Sequence, residues 1–238
     1  MQMDNIQTDI RFIKVLTDVG VDGWMMSLEE RLVVCGLLAA TECRSILELG
    51  YGKGGCTRWL SGICESVVTV DLDPSVNDAS RMANVEPMQM TTQEALERLA
   101  ASGRRFDVAI IDAGHDAENV RSDILGAAKV ADVLILHDIF YPPTRRGAIR
   151  AVGQLRCWHN FDVVAGYFKD GALWGGIGLV CLKAPAVEAS LKSSTLGGEY
   201  LRRLFEVKKQ VRISRVPQWV IRFSRLMIKV WRDATTPL

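Results

Sequence analysis

Two of the chain's three histidines sit beside aspartates, in the segments Asp112-Ala113-Gly114-His115 and His137-Asp138. Each segment closes an apolar run, Phe106–Ile111 and Asp132–Leu136, of the kind that forms a buried strand. Adjacent parallel strands lie about 4.8 Å apart. If these two are neighbours, Asp112, His115, His137 and Asp138 converge on one spot. Histidine among carboxylates can hold a general base near neutral pH, or a divalent ion. A structural hydrogen-bond network closing the end of the sheet would use the same residue types. His159, the third histidine, precedes a strand and reads as surface.

A second cluster lies upstream, in Ser45-Ile46-Leu47-Glu48-Leu49-Gly50-Tyr51-Gly52-Lys53-Gly54-Gly55. This is a short strand running into a glycine-rich turn, with a helix expected from about residue 56. Glycines let backbone approach a ligand closely, and the helix start offers unpaired N–H groups. Gly50, Gly52 and Gly55 fit the dinucleotide spacing G-x-G-x-x-G. Glu48 argues against a pyrophosphate there, because its carboxylate would repel one. A ligand carrying an ammonium and a sulfonium would be attracted. Asp71 follows Gly50 by 21 positions, at the end of the strand Ser66–Val70. It is placed to accept the ribose hydroxyls of an adenosine. Thr91, at the end of a third strand, either touches an adenine edge or caps the next helix.

The elements that must hold these residues alternate. Strands are expected at 45–49, 66–70, 87–90, 106–111 and 132–136. Helices are expected at 27–41, 56–65, 74–84, 93–102, 117–129 and 146–157. Ser27 and Glu30 form a capping box for the first of these. Such alternation means βαβ units and a parallel sheet. Residues 161–168 and 176–182 then read as two strands joined by a loop, which requires an antiparallel hairpin. The fold class is α/β: a doubly wound, mainly parallel seven-stranded sheet ending in an antiparallel hairpin. Ligands of such sheets bind beyond the strands' carboxyl ends. Trp24-Met25-Met26 either floors a pocket there or packs in the core.

The 238 residues are 48% hydrophobic, enough for one α/β domain and an appendage. The segments are a cover at 1–26, the domain at 27–183, a linker at 184–198 and a helical tail at 199–238. From Leu196 onward ten Lys/Arg face three Asp/Glu, a charge of +7, so the total of +1 leaves the first 195 residues at −6. That body has no nucleic-acid footprint. Six scattered cysteines exclude a zinc site or disulfide framework by spacing and fit reduced thiols in the cytoplasm. No signal peptide or membrane span is read. In the tail, Arg222, Arg225, Lys229 and Arg232 form one basic stripe on an otherwise apolar helix. Such a helix suits packing in a homo-oligomer or peripheral contact with an anionic membrane.

Taken together, ELGYGKGG, VDLD, IIDAGHDAENVRSD, LILHD and WGGIGLV resemble a class I S-adenosylmethionine-dependent methyltransferase over about residues 23–183. Within that class the chain is similar to small-molecule O-methyltransferases with Asp-x-x-His and His-Asp strand ends. The resemblance implies a Rossmann-like methyltransferase fold and a small-molecule acceptor such as a sugar or glycan. Glu48, Gly50, Tyr51, Gly52 and Gly54 would surround the cofactor, with Asp71, Leu72, Thr91 and Asp112. His115 and His137 are the candidate catalytic bases. In metal-dependent relatives the positions of Asp112, His137 and Asp138 hold Mg2+. His137 stands where an acidic residue is usual, which favours a histidine base over a hard ion. The other classes open to the chain are a nicotinamide-dependent oxidoreductase and a non-catalytic adenosine-ligand binder.

Overall fold

The computed structural model describes residues 24–41, 43–169 and 171–183. Residues 1–23 of the expected cover, the linker at 184–198 and the helical tail at 199–238 lie outside these residues. The capping-box helix is α1, Leu28–Ala40. The alternating body follows as β1 Ser45–Leu49, α2 Gly55–Ser61, β2 Ser66–Asp71, a 3-10 helix Pro74–Arg81, β3 Val85–Gln89, α3 Thr92–Ala101, β4 Phe106–Ile111, α4 Ala117–Ala127, β5 Ala131–Leu136 and α5 Pro142–Val152. It closes with β6 Trp158–Val164, β7 Tyr167–Lys169, β8 Ala172–Trp174 and β9 Ile177–Cys181.

Seven strands form one sheet in the order β3-β2-β1-β4-β5-β9-β6, parallel through β5 and antiparallel at β9 and β6. Strand order reverses between β1 and β4, so the binding crevice opens above those two strands. β1, β4 and β5 are buried on both faces, the burial expected of strands covered by helices. One face packs Leu47, Leu49, Val68, Val70, Ala109, Ile111, Leu134 and Leu136 against Leu96, Leu99, Val120 and Ile124 of α3 and α4.

Helix starts follow local chemistry. Asp116 caps α4, accepting from the N–H groups of Glu118 and Asn119. The helix expected at 146–157 begins instead at Pro142, because proline's fixed φ and missing N–H suit the first helical position. It stops at Val152, which frees Trp158–Phe161 to extend β6. Between β6 and β9 the expected loop holds a two-stranded ribbon, β7 and β8, outside the main sheet. The segment 74–84 is a 3-10 helix to Arg81, its start capped by Asp73.

Asp123 in α4 is fully buried. Its Oδ1 accepts from Thr92 at 2.6 Å and from Gln93 at 3.1 Å, while Oδ2 has no partner. Burial raises its pKa from 3.8 to about 6. A raised carboxylate contributes stability that is complete below pH 3.8 and is lost as pH rises through 6. Asp123→Asn is expected to remove that loss, about 3 kcal/mol, from the pH dependence of unfolding. Urea melts of both proteins at pH 4 and pH 8 check this; equal pH slopes would contradict it.

Candidate active site

The β4–β5 register pairs Ile111 with Leu136, so Asp112 and His137 leave the sheet side by side. The His137 N–H donates to the Ile111 carbonyl at 3.1 Å and continues the pairing one step past the strands. The side chains then meet. His137 Nδ1 lies 2.9 Å from Asp112 Oδ1, and His115 Nε2 lies 2.9 Å from Asp138 Oδ2. His115 Nε2 is also 4.0 Å from Asp112 Oδ1. All four residues line one cleft of about 370 Å3 with Gly50, Tyr51 and Gly52, so the two sequence clusters share a single site.

Glu30 is a member that sequence reading missed. The sequence places it only in the α1 capping box, which it does form: Oε2 accepts the Ser27 N–H at 2.6 Å. Its Oε1 accepts the Gly176 N–H at 2.5 Å and lies 3.5 Å from His137 Nε2. Glu30 is 1% exposed and His137 4%. A buried acid between two glycines' worth of loop and a histidine has no local sequence signal, since 107 positions separate Glu30 from His137.

The electrostatics of the cluster are mutual. Burial opposes charge on His137, yet the carboxylates of Asp112, Glu30 and Asp138 carry its pKa well above 6.5. The hydrogen bond to Asp138 raises that of His115 in the same way. Burial would raise Glu30 and Asp138, but the histidines beside them leave both below the usual carboxylate range. Asp138 alone among the described non-glycine residues has positive φ, 50°. That strain is held by the Gly175 N–H, which donates to Asp138 Oδ1 at 2.6 Å, and by His115 on Oδ2.

The two candidate bases are not equivalent. His137 has one ring nitrogen on Asp112 and the other, buried and without a hydrogen-bond partner, facing Glu30. Its side chain is 3% exposed, against 35% for His115. His115 stands edge-on to Trp174 at 5.6 Å, and Trp174 stacks on Tyr141 at 4.0 Å. His115 therefore meets the cleft, and His137 holds Asp112 in place from behind.

At the crook, Gly50 has φ 101°, and a Cβ there would lie 2.1 Å from the Asp112 carbonyl oxygen. Only glycine lets β1 turn under the end of β4. Gly50→Ala is expected to displace both crook and Asp112 and to weaken binding of S-adenosylhomocysteine at least tenfold, measurable by calorimetry. Unchanged affinity would contradict the crook's role.

Three other expected ligand contacts have different partners. Glu48 is buried, and its Oε2 accepts from Thr57 at 2.5 Å and Thr69 at 2.6 Å. Thr69 is its cross-strand partner, so the side chain ties β1 to β2 and α2 rather than lining the cleft. Burial pushes its pKa up to about 7. Asp71 does cross to the crook, but Oδ2 accepts the N–H groups of Tyr51 and Gly52 and Oδ1 that of Asp73. Thr91 forms a capping box with Glu94, which settles its hydroxyl as a cap. Gly54 precedes α2 in a left-handed conformation. Leu72, next to Asp71, is 66% exposed at the open end of the crevice.

The expected metal set Asp112, His137 and Asp138 lies together, with His137 Nδ1 2.9 Å from Asp112 Oδ1 and 3.6 Å from Asp138 Oδ2. The donor atoms that gather within 4.8 Å are those of Asp112, His115 and Asp138. His137 Nε2 faces Glu30, while its Nδ1 stays with the two aspartates. One imidazole and two carboxylates fit a borderline divalent ion better than Mg2+, which prefers an all-oxygen shell. Pro142–Arg146 form the first turn of α5, and Arg145 pairs with Asp162 at 3.3 Å. Trp24 and Met25 do line the cleft, with Trp24 stacked on Trp59 at 5.0 Å, while Met26 is buried. All six cysteines are free thiols. Among the described residues no helix is long and apolar enough to cross a membrane.

Residues 47–139 match a family described as a methyltransferase domain. The fold is shared with a putative O-methyltransferase from Klebsiella pneumoniae, at 16% identity and TM-score 0.53 over 74% of this chain and 89% of that one. It is also similar to an O-methyltransferase from Bacillus cereus in complex with SAH, at 18% identity and TM-score 0.52, covering 74% and 90%. TomG from Streptomyces achromogenes, an O-methyltransferase involved in tomaymycin synthesis and solved with SAM, aligns at 16% identity and TM-score 0.51, covering 74% and 88%. No curated protein sequence matches. The seven-stranded, mainly parallel sheet is that of the Rossmann-like methyltransferase fold these proteins share.

Proposed function

We propose that this chain is a class I S-adenosylmethionine-dependent methyltransferase acting on a hydroxyl of a sugar or another small molecule, with His115 as general base. The observation that carries the proposal is the His115–Asp138 pair, 2.9 Å apart, in the same cleft as the crook. With Nε2–H given to Asp138, the Nδ1 lone pair is left for the acceptor hydroxyl. The sulfonium methyl is already activated, so the protein's work is alignment and deprotonation. The acceptor oxygen forms the new C–O bond as the S–C bond breaks, its proton passes to His115, and S-adenosylhomocysteine leaves neutral at sulfur.

Gly50, Tyr51, Gly52 and Asp112 line the cofactor end of the cleft, and Asp71 fixes the crook's backbone for it. Exposed Leu72 offers an apolar surface to the adenine. The O-methyltransferase relatives solved with SAM or SAH support the cofactor assignment. A divalent ion, if bound, would be held by Asp112, His115 and Asp138 and would acidify the acceptor hydroxyl. Activity persisting in chelator would exclude that version. Calorimetric titration tests the class directly: S-adenosylhomocysteine is expected to bind and NAD not to. The reverse result would favour an oxidoreductase.

A further inference from the structure

The cleft has an aromatic and cationic rim above its acidic floor. Its outer wall is the β7–β8 ribbon, where Tyr167 pairs with Trp174 and Lys169 with Ala172. Alternation along a strand puts Tyr167, Lys169 and Trp174 on one face. All three line the cleft, while Phe168 on the other face is 78% exposed. On the opposite wall Lys53 projects from the crook between Gly52 and Gly54. Among the described residues neither Lys53 nor Lys169 has an ion-pair partner.

The ribbon is anchored at its base. The Gly175 N–H is held by Asp138 and the Gly176 N–H by Glu30, the same carboxylates that contact the two histidines. Lys169 and the two aromatics are thereby placed in fixed relation to His115. The floor carries Asp112 and Asp138, each already paired with a histidine, so it offers no free cation to an anion. The rim carries two lysines, which would attract one. A molecule entering with a hydroxyl toward His115 and a negative group toward the rim satisfies both, and the opposite orientation satisfies neither. Tyr167 and Trp174 offer a flat apolar surface for the ring between those ends.

We infer that the acceptor is an anionic ring compound, a sugar carrying a carboxylate or phosphate, bound through Lys53 and Lys169 with its ring against Tyr167 and Trp174. The inference rests on the methyltransferase reading of the same cleft. Its charge pairs are partly screened by solvent, so their effect weakens with salt.

The test uses the full chain saturated with S-adenosylhomocysteine, whose own binding is recorded first. Phenyl glucuronide, phenyl glucoside 6-phosphate and neutral phenyl glucoside are then titrated by calorimetry. At least one anionic probe is expected to bind tenfold or more tighter than the neutral one, and the two anions distinguish a carboxylate from a phosphate preference. Raising the salt tenfold should reduce the gap. Lys169→Met should abolish the preference while leaving cofactor affinity unchanged, and Lys53→Met should reduce it. Equal binding of the three probes, binding of none, or a preference that survives both substitutions would overturn the inference. Failure of S-adenosylhomocysteine to bind would instead count against the methyltransferase reading itself.

Discussion

Replacing His115 by alanine is expected to lower turnover by about 10²–10⁴-fold, the range a positioned general base supplies. Cofactor affinity should stay unchanged, because the crook at Gly50–Gly52 is built from β1 and the Asp71 carboxylate, not from His115. The pH profile gives an independent readout. A base must be neutral to accept a proton, and Asp138 raises the pKa of His115 above 6.5. Turnover should therefore climb with pH through a midpoint above 6.5, and the alanine variant should lose that limb. Steady-state rates with a turned-over acceptor, paired with calorimetry on S-adenosylhomocysteine, measure both quantities. A variant retaining full turnover would remove His115 from the chemistry and return His137, pinned as it is, to consideration.

The largest stability effect is expected at Glu30. Glu30→Ala removes the acceptor for the Gly176 and Ser27 N–H groups and leaves His137 Nε2 without a carboxylate, its Nδ1 still beside Asp112 and Asp138. Removing one partner of a buried ionic contact costs about 3–5 kcal/mol. In a domain of this size that lowers the melting temperature by roughly 10 °C. Glu30→Gln keeps one of the two backbone acceptors and should lose less. Because Gly176 anchors the ribbon, both variants should also impair turnover more than they impair cofactor binding. An alanine variant that melts with the parent protein would show that the Glu30 contacts contribute nothing net.

The contrast between His115 and Glu30 shows what a sequence can carry. His115 is legible because it follows an apolar run by a fixed step, and the end of a parallel strand is where ligands bind. The sheet is legible for the same reason: runs such as Phe106–Ile111 and Ala131–Leu136 announce buried strands, and their register then forces Asp112 beside His137. Glu30 is silent because its partners arrive from β5 and from the ribbon, through contacts no local pattern encodes. The ribbon itself was missed because three-residue strands leave no periodicity to count. Trp174-Gly175-Gly176 did hold a clue, since Gly175 and Gly176 have φ of 70° and 82° and mark a forced turn. Glu48 is legible only in part. A carboxylate beside a glycine turn suggests a ligand contact, but strand alternation aimed it at Thr69 and Thr57.

These residues serve one arrangement, in which a methyl donor in the β1 crook faces an acceptor oxygen beside His115. A crystal structure of the chain with S-adenosylhomocysteine tests this most directly. The account predicts the adenosine over Leu72 at the end of β2, the homocysteine along Gly50–Gly52, and the sulfur opening toward the His115 imidazole. Adenosine bound elsewhere, or a sulfur facing away from His115, would contradict it.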